Sequence, residues 1–150
     1  MLFLGGVAGA KTLTLQQGLS GYQGCTDSWI RTWYGNTAST SHYVAPKNQG
    51  DNYGATKYLD IRYYYSDTCP KCPKIARVVI RFDVSSIPAG AIISSATLQM
   101  KVSLNLSKSS MTMAAHQITK VWDEMKVSWL KRTAAVAWTK KGGDYGTVIL

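Results

Sequence analysis

Acidic residues are scarce: the 150-residue chain carries eight Asp and Glu against seventeen Lys and Arg, and Glu124 is its one glutamate. With so few carboxylates, the pair that must flank a sugar for glycoside cleavage is hard to assemble. Asp123 and Glu124 are adjacent, but neighbours in a turn point apart. Histidine is rarer still. His42 and His116 stand far apart in sequence, and neither a nucleophile elbow nor a Gly-rich phosphate loop after a strand accompanies them. The chain therefore reads as non-catalytic. No apolar run approaches the roughly 18 residues needed to cross a bilayer, so no transmembrane segment is expected. A basic arm, a helix-turn-helix and zinc-finger spacing are all missing, which excludes a dedicated nucleic-acid reader.

Charged residues make up only 17% of the chain, below the roughly 25% of average soluble domains. Polarity comes instead from Ser, Thr, Asn, Gln, Gly and Tyr. Nine Tyr and five Trp stand against two Phe, and such amphipathic rings suit half-wet β surfaces. This is the composition of a secreted or cell-surface β protein of one domain. A formal charge of +9 favours anionic partners, an acidic polysaccharide or the cell envelope.

Residues 2–10 carry no charge and close on Ala8-Gly9-Ala10, the small-x-small pattern before a signal-peptidase cut. Two readings of this segment stay open: a signal-peptide remnant, or an apolar strand donated to a neighbouring chain. Residues 11–150 read as a single domain. Three cysteines are present, Cys25, Cys69 and Cys72. Cys69-Pro70-Lys71-Cys72 has the spacing of a zinc half-site, but a zinc ion needs two further ligands. A redox motif needs a following helix, and Pro73 with a β-run follows instead. A structural disulfide engaging Cys69 and Cys72, with each other or with another cysteine, is expected.

Period-two alternation recurs along the chain and predicts strands over 11–15, 27–34, 58–65, 75–83, 92–106 and 111–121. Between the third and fourth, Cys-Pro-Lys-Cys-Pro reads as a hairpin tip. In the fourth, Val78, Ile80 and Phe82 share one face and Arg77, Val79 and Arg81 the other. In the fifth, Ala96, Leu98, Met100 and Val102 are expected inward. The Asn-, Thr- and Ser-rich stretch 35–54 reads as a long surface loop of the kind that carries function. Short strands between turns imply an antiparallel β-sandwich, and the predicted fold class is all-β and jelly-roll-like.

Sugar binding needs flat aromatic faces flanked by cationic or polar groups. Arg62 beside Tyr64, and Arg31 beside Trp33-Tyr34, meet that need, with Tyr43, Lys47, Tyr53 and Lys57 on or near the long loop. Alternation places at least one ring of Tyr63-Tyr64-Tyr65 on each sheet face. Trp29, Trp122, Trp129 and Trp138 read as core. Asp27, Asp51 and Asp83 with loop carbonyls supply oxygens that a structural Ca²⁺ would accept.

Three stretches, LQQGLSGYQGCTDSWI (15–30), RVVIRFDVSSIPAGAIISSATLQMKV (77–102) and ITKVWDEMKVSWLKRTAAVAWTKKGGDY (118–145), are colinear with the signatures of the DNRLRE, or disaggregatase-related, domains, and the chain resembles that family over roughly residues 12–146. The resemblance implies a jelly-roll-like sandwich in secreted and cell-surface proteins, related to carbohydrate-binding modules of which some bind alginate. The chain departs from the pattern at Cys25, where a hydroxyl residue is usual, at the Cys69–Cys72 segment, and just past Gly-Gly-Asp-Tyr, where relatives continue with further strands. A sandwich without those strands would be completed by a strand from a neighbouring chain. Two functions follow as expectations: an extracellular binding module for acidic polysaccharide, or a structural subunit that grows filaments or sheaths by exchanging its N-terminal strand.

Overall fold

The computed structural model describes residues 11–34, 46–47, 49–66, 69–106 and 110–150, with the backbone alone at 33–34, 46–47, 66 and 69–72. It is nearly all-β, with antiparallel pairing throughout the described residues. After a 3-10 turn at Leu19–Gly21 come β1 (Cys25–Tyr34), β2 (Pro46–Lys47), β3 (Arg62–Ser66), β4 (Cys69–Phe82), β5 (His116–Ile118) and β6 (Tyr145–Ile149). The first four form one sheet in the order β2-β1-β4-β3, and β5 pairs with β6 in a second, two-stranded sheet. Among the described residues no helix is long and apolar enough to cross a membrane.

The long strands follow the alternation closely. β1 and β4 pair from Cys25↔Phe82 to Trp33↔Lys74, so Ile30 stands beside Arg77 and Trp29 beside Val78. The ladder to β1 ends at Lys74, next to Pro73, and the prolines of β4 lie where the strand has lost that neighbour. A proline has no N–H to donate, so this is where a sheet tolerates one. β3 pairs with β4 through Arg62↔Ala76, Tyr63↔Ile75, Tyr64↔Lys74 and Tyr65↔Pro73. The Cys-Pro-Lys-Cys segment is thus part of β4 rather than the hairpin tip, and the β3–β4 pairing runs as far as Ser66↔Cys69.

Core packing occurs on the face that carries the arginines of β4. Ile30 and Val79 cluster there with Trp122, Val127, Trp129 and Trp138, all at most 6% exposed, and Ile75, Ile118 and Leu130 pack at the rim. Arg77 joins this layer because its guanidinium covers the rings of Trp129 (4.9 Å) and Tyr145 (5.5 Å) and donates to the Gly142 carbonyl at 2.7 Å. Arg81 likewise lies over Trp122, at 5.4 Å. A cation stacked on a ring keeps its charge matched while its stem fills apolar space. All four tryptophans expected in the core are buried.

The layer over this face is mostly irregular backbone held by specific bonds. Trp138 donates its indole N–H to the Ser128 carbonyl at 2.9 Å, and Asn52 bridges the carbonyls of Glu124 and Val127 at 2.7 and 2.8 Å. Buried Gln49 donates to the Thr32 hydroxyl at 2.8 Å and accepts from the Leu130 N–H at 3.2 Å, tying residues 49–56 to both layers. Gly142 adopts φ +86°, and a Cβ there would stand 2.7 Å from the Trp129 ring, so only glycine lets this turn close on the core. Asp144, 8% exposed, accepts the N–H groups of Thr139 and Lys140, and these bonds hold its carboxyl below the ordinary carboxylate value. The Gly-Gly-Asp-Tyr motif is a structural clasp.

Four expected strands are shorter or absent. Among the described residues, 11–15 join no ladder, 58–65 enter the sheet only from Arg62 as β3, and 111–121 contribute only β5. Residues 92–106 join no ladder among the described residues, and the side chains expected inward are exposed: Leu98, Met100 and Val102 at 48, 47 and 70%. The pattern is that of a strand, but a strand exists only where a neighbour accepts its backbone bonds.

Candidate functional site

The face of the sheet opposite the core carries the aromatic and basic residues singled out in the sequence. The register fixes the arrangement. Arg31 of β1, Ala76 of β4 and Arg62 of β3 are successive partners across three strands, so they form one row. The next row holds Lys74 and Tyr64, and Trp29 with Val78 forms the row on the other side. Neighbouring strands stand about 4.8 Å apart, which sets the backbones of Arg31 and Arg62 roughly 10 Å from one another.

At the β1 end of the row, Trp29 stacks on Tyr53 with ring centroids 3.8 Å apart and 19° between planes. The guanidinium of Arg31 covers both, 5.3 Å from the Trp29 ring and 4.7 Å from the Tyr53 ring. The Trp29 indole donates to the Thr56 hydroxyl at 3.0 Å, which holds residues 53–56 against the sheet. Tyr53 donates its hydroxyl to Asp51 at 2.9 Å, and Asp51 stands 3.8 Å from Arg31. Burial first, and then this bond to Asp51, push the Tyr53 phenol up to about 12. The phenol therefore remains a proton donor at any physiological pH.

At the β3 end, Tyr64 is 41% exposed and lies under two cations, Arg62 at 5.9 Å and Lys74 at 5.2 Å. Arg62 pairs with Asp60 at 2.8 Å. Tyr63 and Tyr65 project from the other face and meet edge-on, their hydroxyls 3.0 Å apart. Comparison with protein-family models, curated proteins and solved structures finds no match to this chain. The function must therefore be argued from this surface.

Of the residues expected to contact ligand, Arg31, Tyr53, Arg62 and Tyr64 share this face or border it, and Lys57 is exposed on the adjoining loop. Tyr43 and the side chain of Lys47 lie outside the described residues. Lys74 and Asp60 were not picked out by sequence reasoning, and Asp51 was expected only as a Ca²⁺ ligand. Lys74 becomes visible only once β3 and β4 are aligned, since it is the cross-strand partner of Tyr64.

The aspartates expected to hold Ca²⁺ sit with separate partners. Asp51 serves Tyr53 and Arg31, Asp83 accepts the Ser85 N–H at 2.9 Å, and Asp27 lies beside Cys25. Among the described residues no three His, Cys, Asp or Glu side chains gather in a metal-binding group. Burial and the nearby Glu124 raise the Asp27 carboxyl above its ordinary value, while Glu124 accepts the Asp27 backbone N–H at 3.0 Å. The Cys25 thiol is free, and burial, Asp27 and Glu124 all raise its pKa. The side chains of Cys69 and Cys72 lie outside the described residues. Their backbones lie in one strand, where residues three apart stand about 10 Å apart, beyond the roughly 7 Å reach of a disulfide. A bridge between these two would require the strand to bend. His116 donates from Nδ1 to the Gly146 carbonyl at 3.0 Å, which gives it a role in the β5–β6 pair; His42 lies outside the described residues.

Proposed function

We propose that this chain is an extracellular, non-catalytic binding module for an acidic polysaccharide, built as a jelly-roll-like sandwich of the DNRLRE kind. The observation that carries this reading is the row Arg31–Ala76–Arg62, flanked by Lys74 over Tyr64 and by the Trp29–Tyr53 stack. Three cations lie on one sheet face: Arg62 and Lys74 flank the exposed Tyr64, and Arg31, only 18% exposed, stands at the β1 end beyond the buried Ala76. Tyr64, exposed and electron-rich, offers a plane to a sugar ring, and the guanidinium groups match carboxylates in a planar, bidentate fashion. Spacing the cations across three strands suits a polymer with carboxylates at regular intervals better than it suits a small ligand. The supporting charge is +9 over the whole chain, which draws polyanions to the surface at long range.

Asp51 and Asp60 fit the same reading. Each pair is half-buried, with the Arg31 side chain 18% exposed beside Asp51 and the Asp60 side chain 17% exposed beside Arg62, so each aspartate fixes the position of its arginine on this face. Affinity electrophoresis in gels containing a polyuronate or a neutral glucan tests the proposal. Retention by the polyuronate at low salt, lost on adding salt and reduced in the double variant Arg62→Ala/Tyr64→Ala, is expected. Free migration through every polysaccharide at low salt would refute it.

A further inference from the structure

Residues 96–106 alternate without a break: Ala96, Leu98, Met100, Val102, Leu104 and Leu106 against Thr97, Gln99, Lys101, Ser103 and Asn105. Such a sequence buries one side of a strand. Among the described residues it pairs with no strand, and Val102, Leu104 and Leu106 are 70, 71 and 77% exposed, with Ile92 upstream at 96%. From these exposures, Leu98, Met100, Val102, Leu104 and Leu106 show on the order of 600 Å² to solvent, the lower end of what one partner buries in a specific protein interface. A row of exposed apolar side chains of this extent points to an interaction site.

We infer that this segment pairs with its counterpart in a second copy of the chain, antiparallel about a two-fold axis through Val102. The sequence is self-complementary in that register. Leu98 faces Leu106, Met100 faces Leu104, and Val102 faces itself, while on the other side Gln99 faces Asn105 and Lys101 faces Ser103. Shifting the axis to Lys101 keeps the apolar match but sets two lysines opposite one another, and like charges directly opposite destabilise a pair. A contact in which each copy offers the same strand is isologous and closes at the dimer. Ladder bonds supply affinity and the alternating side chains supply register, as in other strand additions. Lys101 is the sole charge between Ile92 and Asn105, so the strip concentrates apolar surface where the rest of a +9 molecule repels its copy. Salt screens that repulsion. Dimerisation therefore strengthens with salt, the reverse of polyanion binding on the sheet face.

Sedimentation of the full chain, at concentrations up to about 100 μM where an interface of this size is populated, reads the state directly. The expected result is a dimer whose dissociation constant falls as NaCl rises, with amides of 98–106 protected from hydrogen exchange. Val102→Lys places two cations on the axis and is expected to weaken the dimer at least tenfold, with an unchanged circular dichroism spectrum. As an independent check, Val102→Cys under mild oxidation is expected to trap a covalent dimer bridged between the two substituted positions, mapped by mass spectrometry. A monomer at every concentration overturns the inference, whether 98–106 exchanges freely or is protected by another part of its own chain. An open-ended polymer overturns the two-fold register in favour of strand exchange.

Discussion

Replacing Val127 by alanine tests whether the irregular segment over the sheet is core. Val127 is fully buried, packed with Ile30, Val79, Trp122, Trp129 and Trp138, while its carbonyl accepts a bond from Asn52. Val121, six residues earlier in the same segment, is 72% exposed. Alanine removes two methyl groups from either side chain. Where they are buried, the transfer loss is about 1.6 kcal/mol at roughly 0.8 kcal/mol per carbon. The surrounding indole rings are rigid and collapse poorly, so a cavity contribution brings the total to about 2–3 kcal/mol. For a chain of this size that lowers Tm by about 5–10 °C, whereas Val121→Ala stays within about 0.5 kcal/mol of wild type. Thermal unfolding followed by near-ultraviolet circular dichroism measures both, since the tryptophans around Val127 report their own packing. Equal effects of the two substitutions would show that residues 118–145 do not pack on the sheet as described.

Two further perturbations address the clasp and the titrating edge. Gly142→Ala meets both the +86° backbone and the Trp129 ring, so a loss above about 2 kcal/mol is expected, against only backbone strain for Gly143→Ala, whose nearest neighbour stands 4.0 Å away; equal losses in chemical denaturation would refute the steric argument. Asp27 holds its proton to higher pH in the folded state than in the unfolded one, so its contribution to stability falls as pH rises from the ordinary carboxylate value through the raised one. Asp27→Asn is therefore expected to raise Tm at neutral pH and to lose that advantage near pH 3; calorimetry showing the same difference at both would contradict the sign.

Much of the central sheet was legible because β1 and β4 obey strict alternation and bury side chains on both faces. The sidedness of β4 was harder to see. Val78, Ile80 and Phe82 look like the buried row, yet the tryptophan layer sits over Arg77, Val79 and Arg81, because cations over indoles can occupy a core-facing row. The β3–β4 register was hidden by Cys-Pro-Lys-Cys-Pro, whose prolines suggest a turn but lie in a strand beyond the reach of β1. That misplacement also concealed Lys74 beside Tyr64. The segment 92–106 shows the limit of pattern alone. Alternation states which side of a strand would be buried and leaves open which chain supplies its neighbour.

The central claim is that the sheet face around Arg31, Arg62, Tyr64 and Lys74 receives an acidic polysaccharide. Its most direct test is to titrate ¹⁵N-labelled protein with a polyuronate oligomer at low ionic strength and to map the amide shifts. The account predicts saturable shifts at Arg31, Arg62 through Tyr64, Lys74 and Ala76, with Lys120, Lys140 and Lys141 unmoved, and an affinity that weakens as salt rises toward physiological strength, where charges are screened over about 8 Å. Shifts centred on Lys140 and Lys141, or spread evenly over the basic residues, would contradict it.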